Sequence, residues 1–260
     1  MTQNCCSDGW YEKDVPIDHP DFARLFLCDC PKGQAIKQRR LARILGASQM
    51  PPDYEDMTFV RFDPKQAVKL EFPDPQDKSR EAHRIRHRIH ALDGKGLVGN
   101  VARAKETALS FARDPRFFLT FLGEPGCGKT HLAAAIAHHC LAKGTMVIFA
   151  VVPDLLDSLR ATFDKGSRIG YGELMHTYVE SELLILDDLG TQYDTAWVAE
   201  KIYQIVNHRY NWQRPTVITT NEVGGDLDPR LQSRIFDARN EKFEILAGDY
   251  RPVQKMRKAA

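Results

Sequence analysis

No stretch of this sequence is apolar for long enough to span a bilayer, and the N-terminal residues are polar where a signal peptide would carry an apolar core. No membrane association and a cytoplasmic address are expected. An excess of charge of one sign is missing too: 36 Lys and Arg against 35 Asp and Glu leave a net charge of +1. Any contact with nucleic acid must therefore come from local patches, not from the field of the whole molecule. There is no internal repeat and no low-complexity tract, which excludes a solenoid or a collagen-like chain. Cysteine is sparse, six in 260 residues, and in a reducing compartment these thiols are not expected to form a disulfide framework. A hydrophobic content of 43% over this length is enough to bury one full α/β domain with a little left over.

What the sequence does have is Gly123-Glu124-Pro125-Gly126-Cys127-Gly128-Lys129-Thr130, which fits the phosphate-cradling pattern GxxxxGK[ST]. An apolar run of strand length, Phe117 to Leu122, precedes it, and an Ala-rich helix former, His131 to Ala142, follows. Glycines let backbone N–H groups turn inward, and the helix N-terminus adds partial positive charge behind a bound phosphate. The segment from Gly123 through His131 is therefore the expected nucleotide-binding loop. In it Lys129 would reach the β- and γ-phosphates and Thr130 would ligate Mg²⁺.

Downstream, Leu183-Leu-Ile-Leu-Asp187-Asp188 reads as a buried parallel strand whose carboxyl end delivers two acids to the ligand crevice. Asp187 is the expected Mg²⁺-side acid, and Asp188 the group that orients or polarises the attacking water. A third strand, Thr216 to Thr220, ends in Asn221, a neutral amide suited to bonding that water or the γ-phosphate. Asp228-Pro-Arg230-Leu-Gln-Ser-Arg234 puts two arginines four residues apart, on one face of a helix. Arg234 is the expected arginine finger, with Arg230 in reserve.

With these motifs in place, residues from about Asp53 to Arg251 resemble the AAA+ ATPases of the DnaC/DnaI helicase-loader and IstB group, and within it the phage or prophage DnaC-like replication proteins. The segments that carry the resemblance are 123–137, 183–190, 217–221 and 230–235. It implies ATP as the nucleotide, Lys129 and Thr130 as Walker A residues, Asp187 and Asp188 as Walker B acids, Asn221 as sensor 1 and Arg234 as a finger supplied in trans, hence self-association. It also implies slow hydrolysis and, as partners, a hexameric replicative helicase and single-stranded DNA. Asp187-Asp188 departs from the Asp-Glu of many AAA+ proteins, and the shorter second acid would fit slow, switch-like turnover. Only about fourteen residues follow the last expected strand, Phe243 to Leu246, too few for a full C-terminal lid; Gly248-Asp-Tyr-Arg251 resembles the short ending of helicase loaders.

The expected fold is thus α/β: a doubly wound parallel sheet of five strands, without a full lid, preceded by a small Cys-rich module and a helical linker. The expected division is 1–33 for the Cys-rich arm, 34–80 for a helical and Pro-rich linker, and 81–260 for the ATPase with leading basic helices. Cys5, Cys6, Cys28 and Cys30 crowd the first thirty residues and suggest a structural Zn²⁺ site, with His19 as substitute for one ligand. Basic helices are expected over 34–45 and 81–92, the second with a basic face suited to a DNA backbone or an acidic helicase surface. A helicase loader is the leading functional expectation. An IstB-type transposition helper and a non-hydrolysing helicase adaptor are the alternatives.

Overall fold

A computed structural model describes residues 10–13, 15–16, 19, 22, 25–28, 30–33, 36, 50–69, 94–163, 170–190, 196–221 and 227–250. The chain divides into two compact units, Met1–Ala47 and Ser48–Ala260.

In the first unit, strands β1 (Trp10–Glu12) and β2 (Leu25–Leu27) pair antiparallel, with Tyr11 opposite Phe26. Their rings meet at 5.7 Å, and the Lys13 ammonium lies 4.4 Å from the Phe26 centroid. The chain then turns through Cys28 and Cys30, and the Gly33 N–H donates to Cys30 Sγ at 3.4 Å. This hairpin has no counterpart in the sequence reading, because three-residue strands are too short to show a period. The expected helices over 34–45 and 81–92 lie outside the described residues, apart from the single helical position Ile36.

In the second unit, two 3-10 turns, Pro52–Tyr54 and Pro64–Lys69, lie within the stretch expected as a helical and Pro-rich linker. Helix α1 (Gly94–Arg113) leads into strand β3 (Phe118–Gly123) and helix α2 (Lys129–Ala142). Then come β4 (Val147–Val151), α3 (Val152–Ala161), α4 (Tyr171–Glu180) and β5 (Leu183–Asp187). Helix α5 (Ala196–Asn211), β6 (Thr216–Thr220), α6 (Pro229–Ile235) and β7 (Glu241–Ile245) complete the order. The strands form one parallel sheet in the order β4-β5-β6-β3-β7, the doubly wound arrangement expected. From β3 the chain crosses to the β4 edge and works back to β6. It then passes to β7 on the far side of β3, so the order reverses at β3 and opens a crevice at its carboxyl end.

Strand alternation assigns the two faces. Phe118, Ile148, Leu184, Leu186 and Ile218 pack with α3, α4, α5 and α6 in one buried cluster. Their sequence neighbours point the other way, toward α1 and α2. Asp187 is odd-numbered like Leu183 and Ile185, and so falls on the α2 face.

Buried polar groups hold the layers in register. Arg209 on α5 is fully buried and donates through Nη1 to the carbonyls of Tyr178, Val179 and Ser181, through Nη2 to Pro215 O and through Nε to Thr216 Oγ1. It thereby supplies the donors that the last turn of α4 cannot find within its own helix. Asn100 on α1 accepts from Leu246 N–H at 2.8 Å and donates to Glu244 O at 3.1 Å, extending β7 as another strand would.

Candidate functional site

The loop between β3 and α2 is built on glycines whose backbone excludes other residues. Gly126 and Gly128 have φ of 79° and 103°, in the left-handed region. A Cβ on Gly126 would stand 1.9 Å from Asp249 Oδ1, and one on Gly128 would stand 2.9 Å from Phe62. Two distant segments therefore close on the loop: residues 246–250, tied by the Tyr250 N–H to Gly126 O at 3.1 Å, and the segment around Phe62. Lys129 is 6% exposed, and its ammonium donates to Gly123 O at 2.8 Å and Glu124 O at 2.9 Å. The loop thus holds its cation on carbonyls that a phosphate's oxygens can replace as acceptors. Cys127 lies beneath it, its thiol pushed up by burial against the opposing charge of Lys129, and so remains protonated and unreactive. Pro125 is exposed at the loop tip.

Across the crevice the two acids are treated differently. Asp187 is 2% exposed. Thr219 Oγ1 donates to its Oδ1 at 2.7 Å, and Thr130 Oγ1 donates at 3.0 and 3.2 Å to its two oxygens. Burial raises its pKa; the Thr219 and Thr130 bonds and the Lys129 charge oppose that rise, and Asp188 adds to it. Asp188 is exposed, with φ of 59°, and its N–H donates to Thr219 Oγ1 at 2.9 Å. That left-handed backbone turns its carboxylate out of the strand line, where Asn221 Nδ2 donates to Oδ1 at 3.3 Å. Lys129, Thr130, Asp187, Asp188 and Asn221 are thus brought to one edge of the sheet.

These groups fit Mg²⁺. A hard cation takes oxygen ligands, and Thr130 turns its O–H toward Asp187, which leaves hydroxyl lone pairs for a metal beside a carboxylate. Thr130 and Asp187 would hold the ion, and Thr219 would fix the carboxylate in place.

Arg230 and Arg234 make their side-chain contacts on α5 and Asp228. Their guanidinium carbons lie 4.4 and 5.7 Å from the Tyr203 centroid, which confirms the shared helix face. Arg234 Nε donates to Asn207 Oδ1 at 3.2 Å, while Arg230 pairs with Asp228 and Glu200. Cys5, Cys6 and Arg251 lie outside the described residues. Cys28 is buried and Cys30 partly so, neither in a disulfide. Among the described residues no group of three or more His, Cys, Asp or Glu side chains is set to hold a metal.

Two features of the site escaped the sequence reading. Thr219 lies one register step beyond the Leu186–Ile218 pair, so alternation along two parallel strands would have placed it beside Asp187. The other is the strap over 54–62. His131 Nε2 bonds Thr58 O at 2.9 Å, His138 Nε2 bonds Tyr54 O at 2.9 Å, and Lys105 Nζ donates to Phe62 O at 2.8 Å. A carbonyl only accepts, so both ring nitrogens carry hydrogen. Burial lowers the His131 pKa, with the Thr58 bond opposing. The strap walls a cavity of about 140 Å³ beside the loop, whose apolar lining includes Met57, Phe62, Val101 and Ala247. No sequence period marks it, since its contacts run through backbone carbonyls.

The parallel sheet, the glycine loop and the acid pair at the strand ends define the AAA+ P-loop fold, a nucleotide-binding class. A family model of IstB-like ATP binding proteins matches residues 102–237, half of the chain, and the protein belongs to that family. It is 29% identical over 148 residues to the replicative helicase loader DnaC of Escherichia coli K12, covering 57% of this chain and 60% of that protein. It is 32% identical over 145 residues to the DnaC of Buchnera aphidicola from Acyrthosiphon pisum, covering 56% and 58%. The chain thus spans about three fifths of the length of the curated relatives it matches. The AMPPCP-bound DnaA structure from Aquifex aeolicus superposes with a TM-score of 0.51 at 21% identity, over 56% of this chain and 46% of that one; this likeness is one of fold. Among the described residues no helix is long and apolar enough to cross a membrane.

Proposed function

We propose that this protein is an ATP-dependent loader of a hexameric replicative helicase, a DnaC-like AAA+ switch that also binds single-stranded DNA in the cytoplasm. The observation that supports an ATP-driven switch most is the Thr130–Asp187 hydrogen bond. It joins the phosphate loop to the strand acid, so that Mg²⁺ and nucleotide bind both at once. Residues Gly123 to His131 hold the phosphates, with Lys129 against the β- and γ-oxygens. Thr130 and Asp187 would hold Mg²⁺, which when bound would supply positive charge to those oxygens. Asp188 and Asn221 position the attacking water, and the exposed Asp188 acts as its general base. Arg234 of one subunit completes the site of the next, so hydrolysis is slow until subunits assemble. In the arm, Cys5, Cys6, Cys28 and Cys30 bind Zn²⁺; the Gly33 N–H to Cys30 Sγ bond supports a thiolate turn there. The division into 1–33, 34–80 and 81–260 is retained as arm, linker and ATPase.

The similarity to DnaC proteins favours the loader; the IstB-like family model keeps a transposition helper as the second reading. A pull-down with the purified protein and ATP decides between them. The loader captures a hexameric helicase and leaves a transposase in solution, and capture of the transposase alone overturns it. Metal analysis tests the arm: about one zinc per chain is expected, and no stoichiometric zinc removes that part.

A further inference from the structure

The cavity beside the phosphate loop is mostly apolar, which suits a flat heterocycle better than a charged group. Gln66 lines it, and the orientation of its amide is fixed by chemistry. Gln66 Nε2 lies 3.3 Å from Asp63 Oδ2. A carboxylate only accepts, so the atom facing Asp63 must be the NH₂ and the other must be the carbonyl oxygen. Asp63 is itself held by the Lys65 N–H at 3.0 Å, and the Gln66 N–H donates to Asp63 O at 3.2 Å. That remaining oxygen, Oε1, is buried and has no hydrogen-bond donor among the described residues.

Two charged or polar side chains of the wall are engaged elsewhere. Arg61 pairs with Asp56 at 2.7 Å, and His131 bonds Thr58 O. Of the buried side-chain atoms lacking a partner, Gln66 Oε1 is the one whose residue lines this cavity. A buried acceptor without a donor is costly to the protein alone, and a ligand that brings an N–H relieves it.

We propose that Gln66 reads the base of the bound nucleotide, its Oε1 accepting a hydrogen bond from the exocyclic 6-amino group of adenine. The cavity then prefers ATP over 6-oxo purine nucleotides, whose position 6 presents a second acceptor. This rests on the reading that the adjoining loop holds the phosphates. A site built around one such bond rejects analogues that lack the donor, because its own polar atom is left unpaired.

The test is a double cycle of Gln66 against the 6-amino group. Affinities of ATP, inosine triphosphate and purine riboside triphosphate, which lacks the 6-amino group, are measured by calorimetry for the wild type, Gln66→Met and Lys129→Ala. The wild type is expected to bind ATP about tenfold more tightly than either analogue. Gln66→Met should lose about that factor for ATP, keep its affinity for purine riboside triphosphate, and no longer distinguish the three. The unchanged analogue affinity shows that the variant is folded. Wild-type-like preference for ATP in Gln66→Met overturns the role of Gln66 while leaving the nucleotide site standing. Undiminished binding by Lys129→Ala, or no binding by the wild type, overturns the site reading itself.

Discussion

At the residue scale, Asp187 carries the contrast that makes the site work. It is 2% exposed and meets two threonine hydroxyls, and burial still raises its pKa. A buried carboxylate held by neutral donors is electrostatically expensive for the fold and available to a cation. Because the raised pKa favours the protonated form, Mg²⁺ affinity should fall on acidification at a higher pH than for an ordinary carboxylate. Asp187→Asn keeps the volume and removes the charge. Its melting temperature should not fall, while nucleotide affinity in Mg²⁺ should drop roughly 10–100-fold, toward the metal-free level. Titrations with and without Mg²⁺ check this, and an undiminished Mg²⁺ effect would remove Asp187 from the metal site. Asp188, by contrast, is exposed and turned out by its positive φ.

At the scale of elements, two devices set the site. The first is the buried Arg209 fork, which ties α4, α5 and β6 together. Desolvation lowers its pKa to about 9, so it stays charged at neutral pH. Arg209→Leu would remove the fork's bonds to four carbonyls, of which Pro215 O keeps the Leu184 N–H and Tyr178 O keeps the Ser181 hydroxyl. It should destabilise the fold by about 3–5 kcal/mol, lowering the melting temperature by roughly 10 °C or more. Arg209→Lys should recover only part of this, since an ammonium cannot reproduce the fork. The second device is the strap bonded to His131 and His138. With the His131 pKa lowered from 6.5 in the docked state, the docked form binds fewer protons than the open one. Docking strength is therefore retained above pH 6.5 and lost as pH falls below that value toward the lowered one. Hydrogen-exchange protection factors over residues 54–62, corrected for the intrinsic pH dependence of exchange, should fall from pH 7.5 to 5.5, and this fall should shrink in His131→Gln. The sheet was legible in advance because β3 and β5 are rich in apolar residues and β6 in β-branched ones, and they run into chemically distinctive residues, Gly123, Asp187 and Asn221. The strap was not, because prolines obscure periodicity and its attachments use backbone carbonyls, which have no sequence signature. Thr219 lies between these cases, visible only once the register of β5 against β6 is known.

At the scale of the molecule, the chain brings the glycine loop, Thr130 with Asp187, and Asp188 with Asn221 to one sheet edge, while the side-chain contacts of Arg234 are made on α5. Arg234 rests on Tyr203 and Asn207 of α5. Under the proposed function it serves the site of a second copy of the chain. Arg234→Ala should then keep ATP affinity within about twofold and lose most of its DNA-stimulated turnover, since arginine fingers contribute roughly 10³–10⁵ in rate. The most direct measurement is phosphate release in the presence of single-stranded DNA by Lys129→Ala alone, Arg234→Ala alone, and an equal mixture of the two. Each variant alone should be near background, and the mixture should recover turnover, because interfaces pairing an intact loop with an intact arginine form again. Wild-type turnover by Arg234→Ala alone, or a mixture no more active than its parts, would contradict a site shared between neighbouring subunits.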